Sequence, residues 1–248
     1  RGQQGLMIGL GTIVNVITIL VGSTIGLLLK KGLPERFKNI ILESSSLVVV
    51  MIGISGVMSG MFKVTDEGTL SSNYIMVMIF SLVIGGLIGE FINIDDKLDK
   101  LGNWFQSKFS NDGSSFSLGF VTASLVFCVG AMAIVGALED GLTGNASTLY
   151  AKAVIDGITS IVFASNFGIG VAFSALPILV YQGGITLMAV WIKPWLTLEV
   201  ITQMSLVGSV LIFCLGMGML GIKKFKVGNL LPAIFMPLIY YVICSLIA

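Results

Sequence analysis

The chain has 248 residues, of which 55% are hydrophobic and only 11% charged, with a net charge of +1 and a mean hydropathy of +1.00. A water-soluble domain carries about a quarter charged residues. This chain lacks the charge to cover a water-facing surface, so its exterior faces lipid and its partner is the bilayer. The small net charge offers no field for nucleic acid, and the absence of histidine removes imidazole metal sites and Ser-His-Asp triads. Cys128, Cys214 and Cys244 lie far apart inside apolar runs and show neither metal-ligand spacing nor a disulfide framework.

In chain order, Arg1 to Leu6 read as an expression remnant before a native start at Met7. A helix needs about 20 mostly apolar residues to cross the hydrocarbon core. Eight stretches qualify, at 7–30, 38–62, 73–94, 116–138, 147–166, 168–192, 198–222 and 228–247. The expected fold is an all-α polytopic bundle. The fifth and sixth spans are separated only by Ser165 to Gly168, and Pro177 with Gly183-Gly184 interrupts the sixth. That pattern predicts either a tight hairpin or helices broken inside the membrane. Residues 95–109 mix Asp96, Lys97, Asp99 and Lys100 with Leu98, Leu101, Trp104 and Phe105 at helical spacing, which predicts an amphipathic helix on the membrane surface. Ser110 to Ser115 follow as a linker. The chain therefore divides into a first membrane half, 7–94, a connecting segment, 95–115, and a second membrane half, 116–248.

Lysine and arginine set the orientation. Lys30, Lys31, Arg36 and Lys38, then Lys97, Lys100 and Lys108, then Lys223, Lys224 and Lys226 occupy the first, third and seventh loops. With eight spans these loops share one side, which is then cytoplasmic, and both termini face outward. The opposite loops hold Asp66, Glu67, Glu139 and Asp140.

The halves also resemble each other. Val21-Gly22, Gly32-Leu33, Glu43 and Gly53-Ile54-Ser55-Gly56-Val57 match Val129-Gly130, Gly141-Leu142, Asp156 and Gly168-Ile169-Gly170-Val171. Spans one and four run in opposite directions, so such a repeat is inverted, a construction common in secondary transporters with the site near the midplane.

The opening Met7-Ile8-Gly9-Leu10-Gly11-Thr12-Ile13-Val14-Asn15 and the stretches Phe127 to Met132 and Gly136 to Gly141 resemble the bacterial membrane proteins of domain-of-unknown-function family 554. The resemblance covers essentially the whole chain after Met7. It implies a multi-pass protein of the bacterial cytoplasmic membrane and assigns no chemistry or site residue.

Charge inside the bilayer costs about 2.5–3.5 kcal/mol on insertion scales. Asp156 falls near the middle of span five, Glu43 in the cytoplasmic third of span two, and Glu90 at the cytoplasmic end of span three, where a snorkelling acid is expected. The repeat pairs Glu43 with Asp156, and no basic residue is expected at their depth. They are the candidate binding site for a proton or monovalent cation, with Asn15, Thr159, Ser165, Asn166 and Gln182 as neutral ligands, alongside Ser23 and Thr24. Oxygen-only ligation suits hard cations. The competing reading makes each acid a helix cap. Gly22/Gly26, Gly56/Gly60 and Gly85/Gly89 mark close helix packing, within the chain or in a homo-oligomer. With no nucleophile–base pair, metal motif or phosphate loop, the chain is not expected to be an enzyme or to carry a cofactor. The leading expectation is a secondary transporter of a small solute or ion, coupled to H⁺ or Na⁺. An ion channel and a non-transport scaffold are the alternatives.

Overall fold

The computed structural model describes residues 8–30, 34–65, 68–109, 116–129 and 131–247. The remnant expected at Arg1 to Leu6, the linker Ser110 to Ser115 and Gly130 of the repeat lie outside the described residues. The architecture is an all-α polytopic bundle. Helix α1 spans Leu10–Lys30 and α2 Glu35–Met61; a hairpin of β1 (Phe62–Val64) and β2 (Leu70–Ser72) leads into α3 (Ile75–Ile92) and α4 (Ile94–Phe109). Helices α5 (Phe116–Cys128), α6 (Ala131–Thr143), α7 (Ser147–Phe167), α8 (Gly170–Phe173), α9 (Ala175–Leu187) and α10 (Ala189–Ile192) follow. The chain ends with α11 (Leu198–Met219), α12 (Val227–Leu230), a 3-10 turn (Leu231–Phe235) and α13 (Met236–Ile247).

Among the described residues seven helical segments are long and apolar enough to cross a membrane, and the bent pair α5 and α6 makes an eighth if it counts as one span. The fourth span, expected at 116–138, differs in its form and in its end. It bends by 59° beside Val129 and continues to Thr143, because hydropathy registers two apolar arms without their relative direction. The expected interruption at Gly183-Gly184 is also corrected, since α9 runs through both glycines. The sixth span instead breaks at Ser174, whose hydroxyl donates to Val171 O at 2.6 Å. Pro177 then falls in the first turn of α9, where its missing N–H costs little. Between α7 and α8 the chain turns tightly at Gly168, with φ +77°, and its N–H returns to Ala164 O at 3.0 Å. Phe167 there is buried, so the expected buried turn at 165–170 is present.

Two compact units organise these helices. One holds α1 and α5–α10, the other α2–α4, the hairpin and α11–α13. Each draws on both sequence halves, and spans one and two fall in different units while spans four and five share one.

The first unit is organised by α1 against α7. Gly11, Thr12, Asn15, Ile19, Gly22, Ser23 and Gly26 form one buried stripe on α1, at the three-and-four spacing of a helix face. A Cβ at Gly22 would strike the carbonyl oxygen of Gly157, and one at Gly26 that of Ile161, so these glycines let two backbones touch, as membrane helices do in the absence of a water-driven force between them. The other face of α1 exposes Ile13, Ile17, Leu20 and Leu28, as a lipid-facing surface does.

The second unit repeats the device. Gly53 and Gly56 of α2 abut Phe213 and Ser209 of α11, and Gly85 and Gly89 of α3 abut Ala233 and Asn229. The α3–α4 turn is made by Asn93 at φ +54°, a left-handed position asparagine tolerates.

Candidate functional site

The first unit encloses a polar cluster at the level of Asp156. From Ser147, the first residue of α7, to Asp156 is nine residues, about 14 Å at ~1.5 Å per residue, roughly half of a ~30 Å hydrocarbon core. Asp156 Oδ2 takes an ion pair from Lys152 Nζ, one turn earlier on the same helix. The two side chains keep only 6% and 8% of their surface exposed, which marks the pair as desolvated. Asn15 Nδ2 on α1 donates to the same Asp156 oxygen at 3.0 Å and to Gln182 Oε1 on α9 at 3.1 Å. Asn15 thereby joins three helices, α1, α7 and α9. The glycine contacts of α1 with α7 hold Asn15 at this depth.

Below the ion pair lies an aromatic floor. Phe127 and Phe163 are buried and stacked at 6.2 Å, and Phe163 meets Phe167 edge-on at 5.7 Å. Lys152 Nζ stands 6.0 Å from the Phe127 ring centre, within reach of a cation–π attraction. The ammonium is held by one carboxylate and one ring face, with little water on either.

Asp156, Asn15 and Gln182 meet in this cluster, and four other candidates do not. Thr159 Oγ1 donates to Ile155 O at 2.8 Å, on its own helix. Ser165 Oγ and Asn166 Nδ2 both donate to Val162 O, at 2.8 and 3.0 Å. Short polar side chains on a helix readily return to the carbonyl one turn back, which explains all three. Glu43 belongs to the second unit and is exposed, and the cluster is built from the first unit alone. Ser23 is buried with its hydroxyl unpartnered, and Thr24 returns to Leu20 O at 2.8 Å.

The expectation that no base lies at the depth of Asp156 is wrong, because Lys152 is buried beside it. The signal was available, since an acid four residues after a lysine on a helix faces it. Ser160, one turn from Asp156, is buried with its hydroxyl on Asp156 O at 2.7 Å.

The second unit holds a different polar group near the end of α3. Glu90 accepts from Lys226 Nζ and from Asn229 Nδ2, both at 2.6 Å. Asn229 Oδ1 accepts from the Asp95 N–H at 2.7 Å, and Asp95 Oδ1 from the Gly228 N–H at 2.9 Å. Hydrogen bonding and attraction from the Glu90 carboxylate push the Lys226 ammonium above its usual range. The Glu90–Lys226 pair is solvent-exposed, as expected of an interfacial acid, and the network clasps the α3–α4 turn to the start of the last span.

Comparison with known proteins places this architecture. The family described as "Protein of unknown function (DUF554)" matches residues 10–242. The chain belongs to that family. It is 38% identical over 227 residues to the "Uncharacterized membrane protein YdfK" of Bacillus subtilis (strain 168), covering 92% of this chain and 93% of that protein. It is 31% identical over 235 residues to the "Uncharacterized protein YqgA" of Escherichia coli (strain K12), covering 92% and 94%. No solved structure matches the chain. This DUF554 protein is a membrane protein whose relatives' names assign no activity.

Proposed function

We propose that this DUF554 protein is a secondary transporter of the bacterial cytoplasmic membrane, moving a small solute or ion in exchange or symport with H⁺ or a monovalent cation at Asp156, and that it is not an enzyme. One observation carries the reading. A lysine–aspartate pair is buried near the middle of a membrane span and is tied by Asn15 to two neighbouring helices. Buried ion pairs are weak contributors to stability, because the desolvation penalty of several kcal/mol per ion offsets their attraction. Ionisable groups at membrane depth mark ion pathways and proton relays.

The chemistry is a competition. Lys152 is the resident cation of Asp156. A proton or small cation arriving at the carboxylate displaces the ammonium, which then lacks its counter-charge and has only the Phe127 face beside it. The ammonium relieves this by moving toward water or losing its proton. Either change alters the hydrogen bonds that Asp156 makes to α1, so ion occupancy is linked to the packing of α1, α7 and α9. The sequence repeat is not needed for this reading, which stands on the cluster.

The test is charge movement in proteoliposomes adsorbed on a solid-supported membrane, after steps of pH, Na⁺ or K⁺. The wild type gives a transient current on at least one of these steps, and Asp156→Asn, which keeps the shape and loses the charge, abolishes it with folding intact. Equal currents in the two proteins, or none in the wild type, refute the proposal. A sustained conductance far above carrier turnover favours a channel.

A further inference from the structure

A second carboxylate of the first unit is enclosed more completely than Asp156. Asp140 has 0% of its surface exposed, and neither Oδ1 nor Oδ2 has a hydrogen-bond partner. It stands in the last turn of α6, where helix carbonyls concentrate partial negative charge. Its neighbour in sequence, Glu139, is already committed to Thr148 Oγ1 at 2.7 Å, and Lys152 is committed to Asp156. A buried, unpaired anion beside a negative helix end is strongly unfavourable without a positive partner.

The elements around it supply neutral oxygen. Thr12 Oγ1 on α1 and Thr186 Oγ1 on α9 are buried and have no partner either. The three helices come together at this level. A Cβ at Gly141, next to Asp140, would strike the Thr186 carbonyl oxygen, and one at Gly183 of α9 would lie 3.9 Å from the Thr12 methyl. One turn deeper, Asn15 Oδ1 is another buried acceptor without a partner. Beside them Gln182 Nε2 and the hydroxyl hydrogens of Thr12 and Thr186 are unpartnered donors, all of them neutral. The deficit is thus one of positive charge against oxygen: a carboxylate, two hydroxyls and an amide carbonyl. Among the described residues no three His, Cys, Asp or Glu side chains converge. A single carboxylate with hydroxyl and carbonyl oxygens suits a hard monovalent ion rather than a transition metal.

We propose that Asp140 is the charged ligand of a second cation site, of the Na⁺ class, completed by Thr12 and Thr186, at the end of the first unit where α6 turns into α7. The site is one to two helical turns from the Asp156 cluster along the stripe of Thr12 and Asn15. It goes beyond the transport reading, because it requires binding but not flux.

Equilibrium binding tests it on the purified full-length chain in detergent. Thermal unfolding is followed as NaCl replaces choline chloride at constant ionic strength, with KCl and LiCl in parallel. A ligand that binds only the folded state raises the melting temperature with its concentration. The wild type gains a saturable rise with Na⁺. Asp140→Asn raises the apparent Na⁺ Kd by tenfold or more, Thr186→Val raises it severalfold, and Leu28→Ala, on the exposed face of α1, leaves it within about twofold. Should Asp140→Asn fail to fold, the Thr186→Val and Thr12→Val titrations decide, since both keep shape and charge. No cation-specific rise in the wild type overturns the proposal, as does a response unchanged in Asp140→Asn or in both threonine variants. Loss of the ion-step currents in Asp156→Asn with Na⁺ stabilisation retained separates the two sites.

Discussion

Removing either partner of the Lys152–Asp156 pair should destabilise the protein more than removing both. Each side chain keeps under a tenth of its surface exposed, so Lys152→Met leaves a desolvated carboxylate and Asp156→Asn a desolvated ammonium. Breaking a buried pair in this way costs about 3–5 kcal/mol, whereas replacing both charges with neutral groups of similar volume is close to neutral. For a domain of this size each kcal/mol shifts Tm by about 2–4 °C, so each single variant should melt roughly 6–20 °C lower. After Asp156→Asn the amide oxygen still accepts from Asn15 Nδ2, so the link to α1 survives and the loss reports charge. The Lys152→Met/Asp156→Asn double variant should return to within about 5 °C of wild type by the same conversion. The assay is thermal unfolding in one detergent at one scan rate, completing a double-mutant cycle. Losses in the double variant equal to the sum of the singles would refute the reasoning, because the two groups would then not be interacting.

Gly26→Val drives a side chain into the Ile161 carbonyl and to within 2.9 Å of the Ala164 methyl; overpacking of this kind costs about 1–3 kcal/mol. Leu28→Ala, on the exposed face of the same helix, should shift stability by less than about 0.5 kcal/mol, and equal melting temperatures for the two variants would contradict the assigned α1–α7 interface. For topology, a single cysteine at Ser72, on the exposed hairpin, in a chain with Cys128, Cys214 and Cys244 replaced, should react with an impermeant maleimide from the outer face. Labelling only from the cytoplasmic face would reverse the orientation deduced from Lys30, Arg36 and Lys226.

Much of the fold was legible because lipid imposes one rule, an apolar helix of about 20 residues, and among the described residues seven helical segments obey it. The turn after Phe167 was legible as well, since Asn166 and Gly168 sit between two apolar runs. The break beside Val129 was not, because both of its arms are equally apolar. In the site, Asp156, Asn15 and Gln182 were readable as rare polar groups at membrane depth. Thr159, Ser165 and Asn166 misled because a hydroxyl or amide on a helix has its own carbonyl within reach, and sequence does not reveal which partner it takes. Lys152 and Asp140 were missed for one reason. Both lie near expected span ends, where charge passes for solvated, and only the packing of α1, α6, α7 and α9 shows them buried. The division into two units was equally hidden, since a linear repeat says nothing of which helices pack together.

Asp156 exchanges Lys152 for an external cation in the proposed transport cycle, and infrared difference spectroscopy of the reconstituted protein reads that carboxylate directly. Steps of pH, Na⁺ and K⁺ are applied to the wild type and to Asp156→Asn, with aspartate carboxyls isotopically labelled. A carboxyl band that changes on at least one step in the wild type and is missing from the difference spectrum of Asp156→Asn is the predicted result. A wild-type spectrum in which every aspartate band missing from the variant stays unchanged through all three steps would contradict it, and would leave the Lys152–Asp156 pair as a fixed structural tie between α1 and α7.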